Sequence, residues 1–331
     1  MSPLHAQFVV DAEKTDTLLL RNGDLLTGDF RELSRGLVSY KTDAMSTINV
    51  KWTRVLTATT EKQFEIHLDD GRRYVGSIGA SDTLGRVVIR AARDTVAVTT
   101  LSIVEMQRLK SSFWNRLDGS FDLGFDFTQQ NKKVDLNLRT TIYYLMNRNR
   151  FSLSFDGSFS RQDSATDISR SNTTFLYSRE FSRYWFAGVV GSLESNSQLS
   201  LDRRVALGVG PGRFFVFTNR IQLGSLLTIG VNREQFEGED MRTTVPLALM
   251  TDFQFFNWSG MSTDVGSRFT IQPILNDPGR WRIIFTADLR QEIMSQLYLS
   301  VGIHEQYDSE PPSADANKND FSLTTSLGWT F

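Results

Sequence analysis

Any chemistry in this chain has to be done without thiols, because none of its 331 residues is cysteine and only His5, His67 and His304 are histidines. The lack of cysteine removes disulfide frameworks and thiolate metal sites together. His5 lies in a leader-like N-terminal tail and His67 in a strand of an N-terminal repeat. His304 alone stands among partners of the right type, Glu305, Asp308 and many serines. Imidazole beside a carboxylate and a hydroxyl is the equipment of a hydrolase. Serine, however, is spread over the whole C-terminal part, and no nucleophile motif marks one. The reading is of a chain that is not an enzyme and needs no metal or cofactor, with a hydrolase built on His304 as the alternative.

A larger charged set recurs at alternate positions. Asp118, Asp122, Asp126, Asp135, Asp156, Asp202, Asp252, Asp264 and Asp288 fall on one side of a period-two pattern with Arg139, Arg204, Arg268, Arg282 and Arg290. Opposed charges on one face of a closed sheet either set the ion preference of a pore or pair across it and close it.

The elements that must position them are β-strands. Leu117, Phe121, Leu123, Phe125 and Phe127 oppose Asp118, Ser120, Asp122, Gly124 and Asp126, while Phe151, Leu153, Phe155 and Phe159 oppose Ser152, Ser154, Asp156, Ser158 and Ser160. An alternation of large apolar with small polar residues suits a strand with lipid on one face and a wet lumen on the other. A slip of one residue would put Asp122 or Asp156 in lipid. A charge there costs about 2–4 kcal/mol for Arg or Lys and less for Asp, so the register is set. Twelve such strands are expected: 116–128, 132–145, 148–161, 170–182, 184–196, 199–217, 220–235, 242–256, 260–275, 279–293, 296–308 and 318–331.

The last of these carries Phe321, Leu323, Leu327, Trp329 and Phe331 on one face and small residues on the other. It matches the signature that bacterial outer-membrane barrels present to their assembly machinery. Expected connections at one rim are short (147–149, 182–183, 218–220, 257–259, 295–296), and those at the other are longer, above all 305–319. Short turns inside and long loops outside is the outer-membrane pattern, and an even strand number leaves both ends in the periplasm. Trp114, Tyr144, Tyr184, Trp185 and Trp258 then form an aromatic girdle at the periplasmic rim, together with Trp329.

The first part of the chain is a repeat. TLLLRNGDLLTGDF (17–30) has its Asn22-Gly23 turn echoed 48 residues on by Asp70-Gly71, and Gly28, Gly36 and Val55 recur at Gly76, Gly85 and Val104. Asn-Gly favours a hairpin with positive φ at both positions. Each copy resembles a small, strongly bent SH3 or Sm barrel, in which glycine permits the curvature. Residues 1–15 read as a leader-like tail, 16–110 as the duplicated units and 111–331 as the barrel. The chain is thus all-β, an antiparallel transmembrane barrel of about 12 strands behind a small duplicated β domain.

Composition agrees: 36 basic against 38 acidic residues, 40% hydrophobic, mean hydropathy −0.26 and no run of 18 apolar residues. These values exclude a helical membrane protein and a basic nucleic-acid binder and leave a β-barrel untouched. Residues 1–10 hold no signal h-region, and His5-Ala6-Gln7 is expected to be the tail of a signal that is missing here.

L-x-N-G-D-x-L-T-G at Leu20 to Gly28, W-x-x-V at Trp52 to Val55, LGVGPG at Leu207 to Gly212 and the aromatic last strand resemble the salt-induced outer-membrane protein family. That resemblance implies an outer-membrane barrel with a periplasmic N-terminal β domain and assigns no catalytic residue. The expected partners are outer-membrane lipid, the barrel assembly machinery and, through residues 16–110, a periplasmic protein. The expected role is an envelope structural element or narrow channel, with a barrel-anchored binding module or a rim hydrolase as alternatives.

Overall fold

The computed structural model describes residues 15–92, 94–109, 114, 117–128, 133–146, 148–162, 166–256, 263–294, 297–310 and 317–330. Contacts divide the chain into two compact units, Met1–Lys110 and Ser111–Phe331. The described residues contain strands and short 3-10 turns but no α-helix.

The first unit opens with β1 (Asp16–Leu20), β2 (Leu25–Ser34), β3 (Leu37–Lys41), β4 (Thr47–Lys51) and a 3-10 turn at Trp52–Arg54. It continues with β5 (Val55–Leu68), β6 (Arg73–Ala80), β7 (Arg86–Ala91), β8 (Thr95–Thr99), a second 3-10 turn at Thr100–Ser102 and β9 (Ile103–Arg108). The duplication is visible in individual hydrogen bonds. Arg21 N donates to Arg54 O and Asp69 N to Ser102 O, both at 2.8 Å, and Leu20 N to Asp24 O (2.8 Å) is repeated by Leu68 N to Arg72 O (2.9 Å).

The copies interlock. The first half of β5 pairs with β1 and its second half with β6 and β9. β9 also reaches β2 of the first copy at Leu33↔Met106. One core serves both, with Phe30 edge-on to Trp52 and Phe64 at centroid distances of 6.3 and 5.4 Å. Trp52 Nε1 donates to Thr100 O at 2.9 Å, joining the equivalent 3-10 turns.

The glycine pattern has a steric cause. A Cβ on Gly28 would lie 2.5 Å from Lys41 O, and one on Gly76 would lie 2.2 Å from Arg90 O, so only glycine lets these strands close so tightly. The Asn22-Gly23 expectation needs correcting, since only Gly23 has positive φ (+92°). The connection there runs over four residues, with Gly23 N bonded to Leu20 O at 3.0 Å, and a single left-handed position suffices.

The second unit is a closed antiparallel barrel. Its strands are β10 (Leu117–Thr128), β11 (Lys133–Met146), β12 (Asn149–Arg161), β13 (Ile168–Glu180), β14 (Trp185–Asn196), β15 (Leu201–Phe217) and β16 (Ile221–Phe236). They continue with β17 (Arg242–Thr244), β18 (Leu247–Phe255), β19 (Thr263–Pro273), β20 (Trp281–Met294), β21 (Leu297–Asp308) and β22 (Asn319–Thr330). Neighbours in sequence pair, except that β17 and β18 both pair with β16, and β10 pairs with β22. β17 and β18 make one crossing, interrupted at Pro246, so there are twelve crossings, as expected. The connections at one rim span 181–184 and 218–220, and at the other 274–280 and 309–318. The one expected at 257–259 is longer, since β18 ends at Phe255 and β19 begins at Thr263.

Candidate functional site

The barrel is inverted relative to the first unit. Leu136, Leu153, Phe175, Leu193, Leu249, Phe269, Leu289 and Leu299 are exposed around its wall, while Asp122, Glu194, Arg204, Glu234, Arg280, Arg282, Asp308 and Asp320 are buried within. Period-two strands sort their residues this way only when the outside medium is apolar, because a Leu in water and an Arg in a core are each unfavourable.

Near the rim of longer loops, three arginines meet three carboxylates. Arg204 donates through Nη1 to Glu194 (2.8 Å) and through Nε to Glu234 (3.0 Å). Arg280 forks onto Asp308 at 3.0 and 2.6 Å and lies 3.2 Å from Glu234. Arg282 stands among Glu194, Glu234 and Asp308 at 3.6, 3.8 and 4.0 Å. Gln306 donates to Glu194 Oε1 at 2.8 Å. Glu194 is on β14 and Gln306 on β21, six strands apart in either direction round the sheet order. Side chains from opposite walls therefore touch. Three positive and three negative groups balance, and each charge removed from water has a counter-charge, which makes such burial tolerable.

Arg170 also spans from β13 to Asp320 (3.5 Å) and Ser322 (3.1 Å) on β22 and lies 3.7 Å from Asp156. Asp156 accepts from Arg139 Nε at 2.8 Å, Asp252 from Arg268 Nε at 2.7 Å, and Asp288 stands 3.2 Å from Arg290. Toward the short-turn rim the filling becomes apolar. Phe186 and Phe214 lie 5.0 Å apart, Phe214 and Phe217 5.3 Å, and Arg150 sits over the last two while bonding Glu180 at 2.9 Å. The LGVGPG run makes room for this layer, since a Cβ on Gly212 would come within 2.3 Å of the Phe186 ring.

The charges expected to face the lumen are thus distributed as follows. Asp122, Arg139, Asp156, Arg204, Asp252, Arg268, Arg282, Asp288 and Arg290 are enclosed, and Asp135 pairs with Lys133 at 2.8 Å by the long-loop rim. Asp126, on the strand face of Asp122 and opposite Asp135, is exposed near that rim. One expectation needs correction. Asp202 is exposed because a bulge between Leu201 and Arg203 turns it out of the alternation. The side chain of Asp118 lies outside the described residues. Sequence reasoning left out Glu194, Glu234, Arg280, Asp320 and Arg170. Glu234 shares its strand face with Thr228 and Asn232 and was open to the same alternation argument. Arg280 precedes β20 and was not.

Of the aromatic set, Trp114, Trp185 and Trp329 are exposed, and Tyr144 and Tyr177 flank Phe151 at 6.2 and 4.8 Å. Tyr184 is half-buried. Trp258 and Phe331 lie outside the described residues. Phe321, Leu323 and Leu327 are exposed with Trp329 on the outer face of β22. His304 faces inward, and its Nε2 is buried without a hydrogen-bond partner among the described residues.

In the first unit His67 lies between two buried carboxylates, with Nδ1 3.0 Å from Glu105 and Nε2 3.2 Å from Glu65, and Arg73 lies 3.6 Å from Glu65. Burial, the largest influence on Glu65, opposes its ionisation, but the hydrogen bond and charge of His67 with the charge of Arg73 outweigh it and hold the carboxyl below its ordinary value.

The profile described as "Protein of unknown function, DUF481" matches residues 121–331. No curated protein matches the chain. Among solved structures, the β domain of the Bordetella autotransporter Brka aligns at 8% identity and TM-score 0.33, covering 65% of this chain and 97% of that one. A bacterial polysaccharide outer membrane secretin aligns at 9% identity and TM-score 0.34, with the same coverage of 65% and 97%.

Proposed function

Since this chain belongs to the family described as "Protein of unknown function, DUF481", we propose its function from its geometry: a bacterial outer-membrane β-barrel with a sealed lumen. It anchors the duplicated N-terminal β domain at the periplasmic face as a structural element of the envelope. The observation that carries the membrane assignment is the inversion, apolar side chains exposed round the whole wall and charges buried inside. The Glu194–Gln306 contact across the barrel favours a seal over a narrow channel, since a hydrated path would have to pass it.

The N-terminal domain, which we read as SH3- or Sm-like, is the part available to a periplasmic protein partner. The outer face of β22 is what the barrel assembly machinery would read. The likeness to salt-induced outer-membrane proteins belongs to the same reading, and neither a cofactor nor a catalytic residue is part of it.

The test combines membrane fractionation with conductance. The protein is expected in the outer-membrane fraction, migrating faster on gels unheated than heated and giving no conductance steps in planar bilayers. Solubility without detergent would remove the membrane assignment, and regular steps from the wild type would remove the seal.

A further inference from the structure

The seam that closes the barrel is zipped over only part of its length. β10 and β22 pair at Ser120↔Thr330, Phe121↔Trp329, Asp122↔Gly328 and Leu123↔Leu327 and then stop. The same register carried on would set Gly124 opposite Ser326 and Thr128 opposite Ser322; Gly124 still lies against Thr325 O and the Ser326 side chain, and the four positions beyond it, which both strands contain, are not paired. Neither strand is frayed there. β10 pairs with β11 over its whole length, through Gly124↔Asn137 to Thr128↔Lys133, and β22 pairs with β21 from Leu297↔Trp329 to Tyr307↔Asn319. The break therefore belongs to the seam.

Beyond the zipped part, Phe125, Leu323 and Phe321 stand exposed on the outer face. Behind it lies a cavity of about 20 Å³, lined by Asp122, Arg139, Thr324 and Ser326 among others, which holds about one water.

Unpaired backbone N–H and C=O groups facing hydrocarbon demand hydrogen-bonding partners. A row of them at strand spacing is met by another strand and poorly by lipid, which offers no matching row of donors. The flanking side chains define what that strand must carry. Outward it meets Phe125, Phe321 and Leu323, and inward it meets Gly124, Ser322, Thr324 and Ser326. We propose that the unzipped part of the β10–β22 seam is a lateral docking edge for an extended segment of another polypeptide, alternating apolar residues with small polar ones and entering from the membrane side. This rests on reading the chain as a membrane barrel.

The absence of native cysteine makes the test direct. Double variants Leu123→Cys/Leu327→Cys and Phe125→Cys/Thr325→Cys are oxidised in intact membranes. The first pair, in register in the zipped part, is expected to form a disulfide at least tenfold faster than the second. As a probe of docking, Phe125→Cys in detergent micelles is offered a synthetic peptide of sequence 319–330 with cysteine in place of Thr325. It is expected to couple at least tenfold faster than a scrambled peptide of the same composition. Equal cross-linking of the two cysteine pairs in membrane-inserted protein overturns the open seam and leaves the barrel reading intact. Equal coupling of the two peptides, or photo-cross-linking from position 125 to phospholipid alone, overturns the strand as occupant. A wild type found soluble overturns both.

Discussion

Replacing Arg204 with Met should loosen the barrel far more than its size suggests, because the side chain is buried and shared by two acids. Arg204 is 3% exposed and bonds Glu194 at 2.8 Å and Glu234 at 3.0 Å. Removing one partner of a buried ion pair costs about 3–5 kcal/mol, since the other charge stays behind without its counter-charge. Here both acids keep another arginine nearby, Arg282 for Glu194 at 3.6 Å and Arg280 for Glu234 at 3.2 Å. The low end, about 3 kcal/mol, is therefore the expected cost, roughly a hundredfold in the unfolding equilibrium. The control is Arg203→Met, one residue away, exposed and bonded only weakly to Gln235 at 3.4 Å; a surface change of this kind stays within about 0.5 kcal/mol. The assay is the temperature at which the compact, unheated gel form of each purified variant is lost. Adding Glu194→Gln to Arg204→Met removes one of the two stranded charges and should recover part of the loss. Equal midpoints for Arg203→Met and Arg204→Met would refute the view that this cluster holds opposite walls together.

Three further outcomes follow from the geometry. Gly212→Val places a Cβ within 2.3 Å of the Phe186 ring, so the compact form should be lost at lower temperature by the equivalent of about 1–3 kcal/mol. Trp52→Phe leaves Thr100 O, which accepts from Trp52 Nε1 at 2.9 Å in the buried core, without that donor; a loss of about 1–3 kcal/mol in the N-terminal domain is expected, read by hydrogen exchange in β5 and β9. Glu65, held below the ordinary carboxylate value through His67 and Arg73 against burial, contributes stability that is present above its unfolded pKa and lost as pH falls through the lower folded one. Exchange rates in β5 should rise across that acid window in the wild type and vary less with pH in Glu65→Gln.

The strands were legible because the barrel obeys one rule along most of its length, large apolar outward and small or charged inward. Asp122 and Asp156 could be placed by that rule alone. Glu194 could not, because β14 carries apolar residues on both faces: Phe186 and Val190 point with Glu194, and Val189 and Leu193 point away. Phe186 faces inward as part of the apolar filling, a role that alternation does not signal. Asp202 was misplaced because a bulge changes the parity of the residues before it, and bulges leave no mark in a period-two pattern. In the N-terminal domain the repeated glycines announced the duplication. That β9 would reach across to β2 depends on contacts between residues more than 70 positions apart, such as Leu33↔Met106, which no local pattern encodes.

The seal of the lumen is tested most directly by conductance of the purified, refolded protein in planar bilayers, with the wild type compared with an Arg204→Ala/Arg282→Ala/Gln306→Ala variant. The wild type is expected to give no steps, because the walls meet at Glu194 and Gln306. The variant, stripped of two arginines and the cross-barrel amide while Glu194, Glu234 and Asp308 remain, is expected to admit cations. A wild type that conducts as well as the triple variant would contradict the sealed barrel.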